Sequence, residues 1–65
     1  MINLVKIQVG NDLFDQDYLC ATYKGLIFVS KLYKDEEFGI YVDDIARKTV
    51  INVRDLKEIY LIQKN

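Results

Sequence analysis

Three β-rich runs in the second half of the chain, residues 26–33, 38–44 and 49–53, are joined by two short polar loops, and they limit the fold more than any other feature. Strand side chains alternate between two faces, so each proposed pairing decides which residues sit together. Closing the loop Lys34-Asp35-Glu36-Glu37 pairs Tyr33 with Phe38, Lys31 with Ile40 and Val29 with Val42. Closing the loop Ile45-Ala46-Arg47-Lys48 pairs Ile40 with Val53 and Val42 with Ile51. The expected core face of this meander is therefore Val29, Ile40, Val42, Ile51 and Val53. Its reverse face carries Phe28, Ser30, Tyr41, Asp43, Val50 and Asn52.

Residues 4–9 alternate in the same way. Val5, Ile7 and Val9 face one side and Leu4, Lys6 and Gln8 the other, the pattern of a half-buried strand. Gly10-Asn11-Asp12 ends it with turn chemistry. Residues 12–25 admit two readings. Asp12 can cap a helix over about 12–23, with Phe14, Tyr18 and Ala21 on one face and Gly25 at its end. The narrow stripe and the Tyr and Thr content favour instead an acidic loop and a short strand at 18–23. Farther on, Leu56 and Ile59 lie three apart, the repeat of one 3-10 turn within 54–59, and 59–62 read as a last short strand. Strand, long first loop, meander, helical turn and strand form the layout of a mainly β, five-stranded SH3-like barrel. One domain over residues 1–65 accounts for the whole chain.

At this point the chain resembles a group of small SH3-like barrel proteins of phages and low-GC Gram-positive bacteria. The matching stretches are Val5-Lys6-Ile7, Thr22-Tyr23-Lys24-Gly25, Ile27-Phe28-Val29, Ile40-Tyr41-Val42-Asp43-Asp44 and Asp55-Leu56-Lys57-Glu58-Ile59. Lys24-Gly25 stands where the group has Gly-Lys, and no Gly follows Asp43-Asp44. The resemblance implies a fold and a mobile-element origin; it implies no activity.

Composition narrows the chemistry. A 65-residue domain buries only about 60% of the surface its unfolded chain exposes. A hydrophobic fraction of 51% thus fills a thin core and leaves apolar side chains for a partner. With no His and one Cys there is neither a disulfide framework nor a cysteine–histidine zinc site. Cys20 lies in an apolar stretch and reads as a small buried hydrophobe rather than a reactive thiol. The absence of His also removes the residue type that titrates nearest neutrality. No Ser-His, Cys-His or Ser-Lys grouping and no Gly-rich phosphate loop is present. Asp43 and Asp44 are neighbours on a strand, so they face opposite ways and form no dyad. Asp15 and Asp17 share one side of an extended loop and could hold Ca²⁺ or Mg²⁺, but the rest of a calcium-loop pattern is missing. They read as a solvated loop, as Asp35-Glu36-Glu37 reads as a solvated hairpin tip. Neither an enzyme, a cofactor nor a metal is expected.

The reverse face of the meander is the more informative feature. Phe28, Tyr41 and Val50 cluster there, with Leu26 and Leu32 near its edges, as at a protein-binding site. Residues 11–23 could equally fold over this face and cover it with Leu13, Phe14 and Tyr18. The leading expectation is a non-enzymatic protein-binding module, an accessory protein of a phage or mobile element acting on a host protein, with self-association through the same patch open to it. The alternative is a small nucleic-acid-binding barrel, with Arg47 and Lys48 on the backbone and Tyr41 stacking a base. A net charge of −1, from 9 basic and 10 acidic residues, argues against a phosphate-binding surface. No apolar run approaches the roughly 20 residues that span a bilayer, and Met1-Ile2-Asn3 begins no leader, so a cytoplasmic protein is expected.

Overall fold

The computed structural model describes residues 2–7 and 14–64. Among them are strands β1 (Ile2–Lys6), β2 (Tyr18–Thr22), β3 (Ile27–Ser30), β4 (Tyr33–Asp35), β5 (Gly39–Asp44), β6 (Thr49–Asn52) and β7 (Leu56–Lys64). Two 3-10 turns, Ile45–Arg47 and Val53–Asp55, flank β6. The strands form two antiparallel sheets, a four-stranded one ordered β1-β7-β2-β3 and a three-stranded one ordered β4-β5-β6. The chain is thus mainly β, as expected. Instead of a closed five-stranded barrel there are two sheets. No helix forms over the described part of 12–23, where residues 18–22 are extended. No helix among the described residues is long and apolar enough to cross a membrane.

The β5–β6 register is the expected one, with Val42 opposite Ile51. The β4–β5 register is not. Tyr33 pairs with Tyr41 rather than Phe38, and Asp35 closes the hairpin against Gly39. The cause is local: the Asp35 carboxylate accepts the backbone N–H groups of Glu37 and Phe38, at 2.9 and 2.8 Å. That Asx turn needs fewer residues than the open loop assumed from the sequence. Gly39 leaves it at φ +88°, a conformation that L side chains rarely adopt.

The run 26–33 is not one strand. It breaks at Lys31-Leu32, so that β3 joins β2 while β4 joins β5. At the break the Ser30 hydroxyl accepts the Asp43 N–H at 2.9 Å and donates to the Lys31 carbonyl at 2.7 Å. A side chain thereby links β3 to β5 where a barrel would continue its backbone ladder. The slipped register against β5, and not the break, reverses the expected faces. Leu32 is only 3% exposed, whereas Val29, expected inside, is 55% exposed.

The core consists of Tyr18, Cys20, Leu32, Val42, Val53, Leu56 and Ile59, with Ile7, Phe28, Ile40, Ile51 and Leu61 packed against it. Burying an aliphatic side chain of this size contributes about 1.5–3 kcal/mol. Leu56 and Ile59 both point inward, but not through a 3-10 turn between them. They lie on β7, where the pairing shifts from Ala21–Glu58 to Thr22–Leu56. This β-bulge inserts one residue and returns both side chains to the core face. The helical turn comes earlier, at Val53–Asp55, where the Asn52 side chain caps it by accepting the Arg54 N–H at 3.0 Å. The short closing strand expected at 59–62 is the nine-residue β7, paired on both sides. The first strand is Ile2–Lys6 rather than 4–9. Its residues are all exposed, and Ile7 follows it into the core packing. Gln8, Val9 and the Gly10-Asn11-Asp12 turn lie outside the described residues.

Candidate functional site

One face of the four-stranded sheet covers the core, and the other carries an unusual share of apolar groups. The β2–β7 ladder pairs Leu19 with Tyr60, the β1–β7 ladder Leu4 with Ile62, and the β2–β3 ladder Leu19 with Val29 and Ala21 with Ile27. Alternation puts all of these on the side away from buried Tyr18, Cys20 and Ile59. Leu4, Val29 and Ile27 are 52%, 55% and 64% exposed, and Leu19, Tyr60 and Ile62 are half-buried. Four strands in fixed register thus present a continuous apolar surface of the kind that marks interaction sites.

Charges frame this surface and are already paired. At one end Asp17 sits between Lys31 and Lys64, at 3.2 and 3.3 Å. Hydrogen bonds from Lys31 and then Lys64 hold its carboxyl below the ordinary aspartate value. At the other end Glu58 accepts the Tyr60 hydroxyl and lies 3.8 Å from Lys6. The Tyr60 bond, and less strongly the Lys6 charge, keep Glu58 below its usual range, while the same bond raises Tyr60. Asp17 thus has two lysine partners, which is not the arrangement of a divalent-cation site.

The five residues placed on one binding face by sequence are divided among several surroundings. Phe28 packs against the core and Leu32 belongs to it. Leu26 is half-buried beside an open groove of about 340 Å³ lined also by Tyr23, Thr49 and Ile51. Tyr41 stands on the outer side of the three-stranded sheet, stacked on Tyr33 at 5.5 Å and edge-on to Phe38 at 5.8 Å. Val50 is exposed opposite Asp43. The covering alternative fares no better on the described residues. Tyr18 is within the core and Phe14 is exposed, while Leu13 is not among those described.

The proposed nucleic-acid residues are not brought together either. Arg47 donates to Asp44 at 2.9 Å, and Asp44 is 1% exposed. Removing a buried carboxylate's cation is costly, so this guanidinium is committed within the chain. Asp44 and Tyr41 are on opposite faces of β5, and Lys48 turns through φ 54° beyond the first 3-10 turn. Cys20 is buried, its thiol pushed up to about 12 by desolvation, which suits a packing role.

The sequence reading missed Leu4, Leu19, Ile27, Val29, Tyr60 and Ile62 as one surface. Its signal was the unbroken run Ile59-Tyr60-Leu61-Ile62. A strand with one face in water has no need of apolar residues on both. No family model, no curated protein and no solved structure matches the chain. Fold and site together define a small two-sheet β protein with an open apolar sheet face.

Proposed function

We propose that the protein is a non-enzymatic protein-binding module and that the outer face of the four-stranded sheet is its contact surface. The observation carrying this reading is the alignment of Leu4, Ile62, Leu19, Val29 and Ile27 across four strands, facing away from the core. Rim ion pairs around an apolar centre are the usual anatomy of a protein interface. Arg47 is bound to Asp44, which makes nucleic acid the weaker reading.

The fold is read here as SH3-like with an added strand. Followed around both sheets, the order is β7, β2, β3 running into β4, β5 and β6, and a 3-10 turn leads from β6 to β7. This order supports the reading if β1 is an addition beside β7. An accessory role in a phage or mobile element, acting on a host protein in the cytoplasm, is part of this reading; the resemblance supports only the fold and the mobile-element origin.

The test is quantitative capture of partners by immobilised wild-type protein beside Val29→Asp. Val29 is off the core, so its charge blocks the surface without unfolding the chain. A protein recovered several-fold better by wild type is expected. Equal recovery by both, or recovery of nucleic acid alone, overturns the reading.

A further inference from the structure

Strand β1 lies at the edge of the four-stranded sheet, and among the described residues no strand pairs with its far side. The direction of its free groups follows from one bond. The Ile7 N–H donates to the Ile59 carbonyl at 3.3 Å, so in this antiparallel ladder Asn3 and Val5 also turn their backbone groups toward β7. Ile2, Leu4 and Lys6 turn theirs outward. Each offers one donor and one acceptor with no place in the sheet.

Edge strands are ordinarily blunted by Pro, bulges, inward charges or shortness. In β1 there is no Pro, and the register to β7 is unbroken over its five residues. Its one charge, Lys6, is at its end and faces Glu58. Ile2 and Leu4 are among the exposed apolar residues of the molecule.

We infer that β1 is a self-association edge, pairing antiparallel with β1 of a second copy about a two-fold axis through Leu4. This geometry satisfies every outward group. Leu4 of each copy exchanges both bonds with Leu4 of the other, and Ile2 does the same with Lys6. The two Lys6 residues stand four positions apart along the strands, roughly 14 Å. That exceeds the screening length of about 8 Å at physiological salt, so like charges do not oppose the pairing. The two Leu4 side chains meet on the outer face, and the apolar surfaces of both copies join across the seam. A second copy is favoured over a foreign strand because this edge is its own complement under the two-fold axis. Five residues per side bury less than the roughly 1,200 Å² of a stable complex, so the dimer is weak and concentration-dependent. The inference does not depend on the binding function proposed above.

Sedimentation velocity from about 10 μM to about 1 mM covers the range of weak association. The sedimentation coefficient of wild type is expected to rise over it. In the same samples the Leu4 amide should gain several-fold protection from hydrogen exchange, while that of Val5, already bonded to β7, should not. Leu4→Pro removes the central donor without touching the β7 ladder and is expected to stay monomeric with an unchanged β spectrum. Val29→Asp, on the opposite edge strand, is expected to associate like wild type. A wild type that stays monomeric at the highest concentration, or a Leu4 amide with no gained protection, overturns the inference. So does association that survives Leu4→Pro but is lost in Val29→Asp.

Discussion

The two faces of the four-stranded sheet are made of similar side chains in different surroundings. On β7, Ile59 and Leu61 point toward the second sheet, while Tyr60 and Ile62 point away from it. On β2, Tyr18 and Cys20 are fully buried, and Leu19 and Ala21 on the reverse side are only partly so. Hydrophobicity therefore does not identify the core face of this sheet. Its inner side is decided by β3, which turns at Lys31-Leu32 and carries the chain into the sheet that covers it.

The contrast is tested most severely by matched truncations on one strand. Ile59→Ala is expected to lower the unfolding free energy by about 2–5 kcal/mol, measured by denaturant titration. Ile62→Ala, three residues along but on the open side, should cost about 1 kcal/mol or less in the same assay. Equal losses would show that the outer face is covered in solution. A smaller effect is expected from Val29→Asp, within about 0.5 kcal/mol of wild type, as for a surface position. The Cys20 thiol sharpens the inner side. It should resist alkylation in the folded protein and react at the rate of global unfolding, and fast labelling would mean that the sheets part locally.

The smallest effect concerns the rim. Asp17 has a folded value below its ordinary 3.8 because of Lys31 and Lys64. Its stabilisation is present above 3.8 and is lost as pH falls through the lower folded value. Asp17→Asn should flatten the acid limb of the stability curve only slightly, since the pair is partly solvent-exposed and screened by salt. A large change would mean that the rim, and not the core, sustains the sheet.

How far the sequence foretold this arrangement depended on what governs each pairing. Val42 opposite Ile51 was legible because the alternation of both strands and the loop between them agree on one register. The neighbouring hairpin was not, because its register depends on the two hydrogen bonds of the Asp35 carboxylate, which alternation does not encode. That slip of three positions exchanged the faces and carried Leu32 inside, taking it out of the expected binding surface. The spacing of Leu56 and Ile59 correctly marked two buried residues, but a bulge in β7 and a helical turn produce the same interval of three. Among the expected binding residues, Tyr41 and Val50 were read on the correct side of β5 and β6. The apolar face of β2 and β7 is not legible in the sequence, because residues 18–23 read as a short piece after a loop and nothing in their alternation marks them as the neighbour of the last strand.

The crossing at Lys31-Leu32 has a consequence for how the molecule comes apart. Residues 27–35 serve first as an edge of one sheet and then as an edge of the other, and the Ser30 hydroxyl fastens the corner to Asp43. Among the described residues the two layers share this stretch of chain, which opposes their separation as independent cooperative units. Fraying that begins in β4 pulls on β3 through a two-residue link, so loss of one layer is expected to draw in the other, and the two sheets are expected to melt in a single transition.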